Sequence, residues 1–300
     1  MIPPRRFVDL HTHSTASDGS ETPAEVVRLA DRLKLAAVAL TDHDTTAGLD
    51  EARAAAETLP RLRFIPGVEV SAAFSPGTMH ILGLGIDETA AALREMTARF
   101  RAARQQRNPR IIARLQAMGV PVDMDDVRAV AERPGETPGR IISRLHIAEA
   151  ICRAGFAADR RDAFDRYVGD GAPAYVAKDR LGPAEVISAI HAAGGAAVIA
   201  HPVQLRCTSL RELERVARGL MEAGLDGIEV YHGEHSDEQT RSYLELARRL
   251  GLLVTGGSDY HGVSKPDVRM GRPLVPAAAI TGPWARRWLG SGQHGPRDDG

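Results

Sequence analysis

Two histidines two residues apart, His11 and His13, follow a short apolar run, Phe7-Val8-Asp9-Leu10. In an extended segment, side chains at i and i+2 point the same way. Two imidazoles converging beyond a strand can hold one transition-metal ion. An isolated HxH is also common as a pair of surface histidines, so its meaning depends on what else the chain supplies. Asp18 lies in the same loop, Asp42-His43-Asp44 closes a second apolar run, Glu69 lies in a third (PGVEV) and His80 opens a fourth. His201-Pro202 follows AAVIA, and Ser258-Asp259-Tyr260-His261 follows LLVTG. Stability does not call for His, Asp or Glu at the end of nearly every strand, because a buried imidazole or carboxylate is costly unless paired or metal-bound. His232 and His235 lie near these loops, whereas His146, His191 and His294 fall outside them. His191, inside a helical pattern, reads as a solvated or packed residue.

The elements that must position these residues are legible as alternating patterns. Phe7–Leu10, Ala36–Leu40, Arg63–Ser71, Met79–Gly85, Ala196–Ala200, Gly227–Tyr231 and Leu252–Gly256 are short runs rich in Val, Ile and Leu. They read as buried parallel strands. Helix-length patterns separate most of them: Pro23–Lys34, Ala47–Thr58, Pro183–Ala193, Leu210–Ala223 and Glu238–Leu250. Pro23 and Pro183 suit a first helical turn. AEVVRLADRLKLAAVALTDHD, AEVISAIHAAGGAAVIAHP and YLELARRLGLLVTGGSDYH repeat one plan of helix, tight turn, strand and histidine. That is the rhythm of a barrel or open parallel sheet, with functional groups at the carboxyl ends of the strands. The rhythm breaks over residues 99–178, where Asn108-Pro109 is expected to interrupt a helix starting near Ala90. Further helices are expected at Arg110–Met118, Asp125–Ala131, Arg140–Arg153 and Arg160–Tyr167, then a strand at Ala174–Val176. This stretch reads as a helical insertion. The tail 290–300 is expected to be disordered.

Composition narrows the field. The 300 residues carry 38 Lys+Arg and 39 Asp+Glu, a formal charge of −1, which excludes a broadly basic nucleic-acid coat or a polybasic membrane anchor. Cys152 and Cys207 form no CxxC pattern, so neither a disulfide framework nor a zinc ribbon is expected. No run is long enough for a signal peptide or a membrane span, and a cytoplasmic enzyme is expected. Lysine occurs only at Lys34, Lys178 and Lys265.

DLHTHS, ALTDHD, GVE, the following His80, AHP and GSDYH, in this order, resemble the PHP family, named for polymerase and histidinol phosphatase domains. The resemblance covers roughly residues 6–98 and 179–275. The flanking text DLHTHSTASDGSETPAEVV, ALTDHDTTAG and TGGSDYHG looks most like the branch of nucleoside 3′,5′-bisphosphate phosphatases and 5′→3′ exoribonucleases. So does SRLHIAEAICRAGF…AFDRYVGDGAPAYVAK in the insertion. The resemblance implies an α/β fold, a distorted (β/α)7 barrel over residues 1–98 and 179–289. The inserted helical domain, 99–178, would contribute to substrate binding. It also implies two or three divalent metal ions. His11, His13, Glu69 and Asp259 would hold the first. Glu69, His80 and His201 would hold the second, with Glu69 bridging, and Asp18, His43 and His261 the third. Many relatives have His where this chain has Asp18. Mixed nitrogen and oxygen ligands without thiolate suit Mn²⁺, Fe²⁺ or Zn²⁺, with Mn²⁺ the first choice.

The implied activity is removal of the 3′-phosphate from a nucleoside 3′,5′-bisphosphate such as pAp, by a water shared between metals. Arg144, His146 and Lys178 match family positions, and Arg144 and Lys178 are expected to hold a second phosphate, one as a fork and one as a point charge. His235 is a candidate donor to a phosphate or to the leaving oxygen. A 5′→3′ exoribonuclease acting on short 5′-phosphorylated RNA uses the same anchor and chemistry. Histidinol phosphatase is a weaker fit, because it would not need the insertion's cations. A non-catalytic PHP scaffold is a different class, and it would tend to lose ligands that are all present here. An amidohydrolase with a carboxylated lysine needs a lysine where this chain has Glu69. The expected partner is a small anionic nucleotide or short single-stranded RNA, not duplex nucleic acid or a membrane.

Overall fold

A computed structural model describes residues 5–131, 141–177, 180–280 and 282–289. It divides into two compact units, Met1–Met96 with Leu181–Gly300, and Thr97–Arg180. The strands are β1 (Phe7–Asp9), β2 (Ala37–Leu40), β3 (Arg63–Ala72), β4 (Met79–Leu84), β5 (Ala196–Ile199), β6 (Gly227–Tyr231), β7 (Leu253–Gly256) and β8 (Val275–Pro276). The helices are α1 (Pro23–Arg32), α2 (Leu49–Glu57), α3 (Ala91–Ala117), α4 (Met124–Ala131), α5 (Arg144–Arg153), α6 (Arg160–Ala163), α7 (Pro183–Ala192), α8 (Leu210–Glu222), α9 (Asp237–Leu250) and α10 (Gly282–Leu289).

In the first unit all eight strands form one sheet, ordered β7-β6-β5-β4-β3-β2-β1-β8. The two outermost members of the parallel set, β1 and β7, meet just beyond their ends. The Leu10 amide donates to Gly256 at 3.1 Å, Asp259 to the His11 carbonyl at 2.9 Å and His13 to Tyr260 at 2.8 Å. These bonds close the sheet into a barrel at the end where the chemistry-bearing loops emerge. Inside, alternate strand residues pack together: Val8 and Leu10, Ala37 and Ala39, Leu82 and Leu84, Ala196 and Val198. The period of two is what lets the intervening residues face the surrounding helices. Local signals set the helix starts. In α1 the Thr22 hydroxyl accepts from the Glu25 amide, and the Glu25 carboxylate accepts from the Thr22 amide. This capping box begins one residue before Pro23, whose missing N–H costs nothing in the first turn.

The far end is closed by α10. Trp288 and Leu289 join the barrel core, and a side chain on Gly85 would meet the Trp288 indole nitrogen at 2.6 Å. Gly85 also has φ = 72°, so both backbone and packing require glycine there. Trp288→Ala should lower the unfolding free energy by about 3–5 kcal/mol in urea titration. A loss below about 1 kcal/mol would show that α10 lies outside the cooperative core.

Three sequence expectations are corrected. β4 runs antiparallel to both neighbours rather than parallel. The six residues between β3 and β4 allow a hairpin return but not the crossover a parallel strand needs. In the second unit, α3 continues through Pro109 instead of breaking there. Ile111, Ile112 and Leu115 anchor its second half in the core. That packing offsets a proline penalty of about 3 kcal/mol. Ala174–Val176 is not a strand; the local bridge pairs Leu181 with Ala72. The second unit has its own core, built from α3, α4, α5 and the turn of π-helix Phe164–Val168. The tail 290–300 lies outside the described residues. No described helix is long and apolar enough to cross a membrane.

Candidate metal centre

The strand ends bring His11, His13, Asp18, His43, Glu69, His80, His201, Asp259 and His261 together in the first unit. Among the described residues four groups have ligand atoms within 4.8 Å of one another: His11, His13, Glu69 and Asp259; His13, Asp18, His43 and His261; His43, Glu69 and His80; and His11, Glu229 and His232. Glu69 is fully buried at the centre, and its two oxygens face different histidines. One lies 2.8 Å from His80 Nδ1 and 2.8 Å from His201 Nε2. The other lies 3.3 Å from His11 Nε2, 3.2 Å from His13 Nε2 and 2.9 Å from His43 Nδ1. Asp259 lies 3.2 Å from His13, and Asp18 lies 3.3 Å from His261.

Most of these close approaches are not hydrogen bonds. His11 Nε2, both nitrogens of His13, His43 Nδ1, His201 Nδ1, His261 Nε2 and Glu69 Oε2 are buried with no hydrogen-bond partner. Leaving so many polar atoms unsatisfied is expensive unless something else occupies their lone pairs. The donor set, imidazole and carboxylate without thiolate, fits divalent cations.

Ionisation agrees. Burial alone would push Glu69 up, yet His43, His80 and His11 hold it well below the usual carboxylate range. Burial also opposes the ionisation of Asp259, but Lys265, His261 and His11 pull it well below. Asp18 behaves alike through His43, His261 and His13. Burial drives His80 and His261 down to about 4. His13 is also buried, but the adjacent carboxylates of Asp259 and Glu69 raise it to about 9. Three anionic carboxylates thus sit among imidazoles, which is the charge arrangement a cation requires.

A surrounding layer fixes the orientation of these side chains. His11 Nδ1 meets Glu229 at 3.1 Å, and Glu229 also accepts from the His201 amide at 2.7 Å. With its proton on Nδ1, His11 turns the Nε2 lone pair toward Glu69. Asp9 accepts from Ser258 Oγ at 2.6 Å and from the Ser258 and Gly271 amides. Asp42 accepts from Ser14 and Ser17, and Asp44 from the Ser71 amide. Lys265 Nζ lies 2.6 Å from Asp259 Oδ2 and fixes that carboxylate. Asp44, His201 and Asp259 take positive φ values of 56°, 23° and 57°. Such strain persists only where the surroundings over-determine it. Gly257 is required by close approach, since a side chain there would fall 2.4 Å from His11 Cβ. Glu229→Gln should weaken metal affinity by about 10–100-fold without changing the circular dichroism. Competition with a metal-indicator dye measures it, and unchanged affinity would reduce Glu229 to a packing role.

Not every candidate joins the cluster. Arg144 is on α5 in the second unit, where it donates to the Val168 carbonyl at 3.1 Å and pairs with Asp170 at 2.7 Å. Its guanidinium lies over Phe164 and Tyr175. His146 accepts from the Ser143 amide and caps that helix. Lys178 lies outside the described residues. His235 donates from Nδ1 to the Val230 carbonyl at 2.9 Å, leaving a buried Nε2 with no partner. His232 is the reverse case: its Nδ1 accepts from the Glu234 amide, so its neutral ring carries the proton on Nε2, 3.8 Å from Asp259. His191 pairs with Asp226 at 2.8 Å, away from the cluster. Sequence reasoning missed Glu229, although a carboxylate inside GIEVY resembles Glu69 inside GVEV. It also gave Lys265 no place in the site.

The PHP domain matches residues 9–122. The chain is 38% identical over 254 residues to a 3′,5′-nucleoside bisphosphate phosphatase of Chromobacterium violaceum, covering 85% of this chain and 87% of the relative. It is 34% identical over 280 residues to the 5′-3′ exoribonuclease Rnm of Escherichia coli, covering 92% of each. A solved structure from Bifidobacterium adolescentis, named as a candidate metal-dependent phosphoesterase, superposes with a TM-score of 0.82 at 38% identity, covering 96% of each chain.

Proposed function

The chain belongs to the PHP family, and from that premise we propose that it is a metal-dependent phosphoesterase removing the 3′-phosphate of nucleoside 3′,5′-bisphosphates. The observation that carries this reading is Glu69, whose two oxygens serve separate sets of histidines, as a carboxylate shared between cations must. His11, His13, Glu69 and Asp259 would hold one ion, Glu69, His80 and His201 a second, and Asp18, His43 and His261 a third. Mn²⁺ is the proposed metal. When bound, such ions act as Lewis acids toward phosphoryl oxygens and acidify water.

The chain's own groups do the rest. Glu229 and Lys265 hold His11 and Asp259 in place, so no reorganisation is needed as phosphoryl charge shifts. His232, with its proton on Nε2, can donate a hydrogen bond to a phosphoryl oxygen, whereas neutral His235 offers an acceptor at Nε2. Burial lowers the pKa of His235 and favours that neutral form. Arg144, His146 and Lys178 are proposed to recognise the second phosphate. Arg144 suits this because its present carboxylate partner, Asp170, is well exposed and so a weak competitor.

The test is phosphate release by the Mn²⁺-supplemented protein from pAp, nucleoside monophosphates and a 5′-phosphorylated dinucleotide. Fastest release from pAp is expected. Release confined to simple monophosphates would overturn the bisphosphate assignment. Faster mononucleotide release from the dinucleotide would favour the exoribonuclease reading, which the similarity to Rnm also supports.

A further inference from the structure

The second unit contains a cavity of about 440 Å³, within the usual range for small-molecule sites. Arg101 and Arg104 of α3 and Arg128 of α4 are among the residues that line it, and Met124, Ile141 and Ile142 supply apolar wall. Among the described residues, no carboxylate lines it. Arg101 and Arg104 are three apart on one helix and therefore share a face. Arg104 is buried, with 8% of its surface exposed. Arg128 pairs with Asp125, but both are well exposed, so solvent screens that pair and a better anion can replace it.

The cavity is also pre-shaped. Arg107 donates to Asn108 Oδ1 at 2.8 and 3.1 Å, and Asn108 Nδ2 donates to the Ile142 carbonyl at 3.0 Å. This chain fastens the Ile141-Ile142 wall to α3, so a ligand need not organise the wall as it binds.

Guanidinium groups fork onto phosphate oxygens and also stack on planar rings. Apolar wall without polar partners suits a flat, weakly hydrated body. We propose that this cavity binds a nucleoside monophosphate, its phosphate held by Arg101, Arg104 and Arg128 and its base set against Met124, Ile141 and Ile142. Gln105, also on the lining, can bond the base edge. The proposal does not depend on hydrolysis at the metal centre.

Photolabelling of the full-length, Mn²⁺-loaded protein with 8-azidoadenosine 5′-monophosphate, followed by peptide mapping, tests it. Label is expected in peptides from α3, from α4 or from residues 141–142. Arg101→Glu/Arg128→Glu changes only exposed side chains and should reduce that label at least about tenfold. Arg104→Met should do the same if the protein still folds. AMP should compete, and adenosine and inorganic phosphate should compete far less. Label confined to peptides of the barrel unit, or unchanged label in the double variant, would overturn the site. Equal competition by inorganic phosphate would overturn the nucleotide in favour of a bare anion. Equal competition by adenosine would overturn phosphate recognition.

Discussion

Glu69→Gln should abolish phosphoester hydrolysis while leaving the barrel folded. The substitution keeps the volume and hydrogen-bonding shape of a fully buried side chain, so packing changes little. What it removes is a negative charge facing five histidines. One amide oxygen cannot serve two cations as a carboxylate can, and the amide NH₂ would face imidazole nitrogens meant for ligation. A loss of turnover on the order of 10³-fold or more is expected, with the bound metal per chain falling in parallel. Steady-state kinetics on pAp and elemental analysis of the same preparation measure both. Normal metal content with normal turnover would remove Glu69 from its central place.

Stripping the metals should have the second largest effect. Excess chelator is expected to eliminate activity, and Mn²⁺ to restore it. The melting temperature should rise with metal concentration, because a ligand at 100 times its dissociation constant adds about 2.7 kcal/mol to the folded state. In a domain of this size that is several degrees. The pH dependence has a definite sign. In the metal-free site His13 is raised to about 9, because Asp259 and Glu69 outweigh its burial. Its charged pairing therefore contributes fully below the unfolded value near 6.5 and is lost as pH rises through about 9. A cation competes with that proton, so metal affinity should increase across the same interval. Calorimetry in buffers of different ionisation enthalpy would detect the released proton. Affinity independent of pH from 6 to 9 would contradict this ionisation of His13.

The ligand-bearing loops were legible because they combine two independent signals, an apolar run and a titratable residue just beyond it. His11, His43, His201 and Asp259 follow that rule, whereas Glu69 lies inside β3 and stood out through the GVE motif. Glu229 breaks it, because it lies within β6 rather than after it and so read as part of a core strand. Lys265 was invisible for a geometric reason: it reaches Asp259 by a short 3-10 turn (Gly262–Ser264) that composition does not announce. The direction of β4 was misread because periodicity reports burial and not polarity. The persistence of α3 past Pro109 was misread because a local penalty was weighed without the tertiary contacts that oppose it. Only the second error involves partners distant in sequence; the first overlooked the six-residue loop between β3 and β4, too short for a crossover.

The seam joining β1 to β7 has a consequence for biosynthesis. Asp9 is bonded to Ser258, 249 residues later, and His11 shares the centre with Asp259. On the ribosome the first two histidines emerge long before the carboxylate that completes their set. Until then the set of His11, His13, Glu69 and Asp259 lacks one of its carboxylates. That one set is complete only when the seam has closed, and a contact over so long a loop carries a large entropic cost.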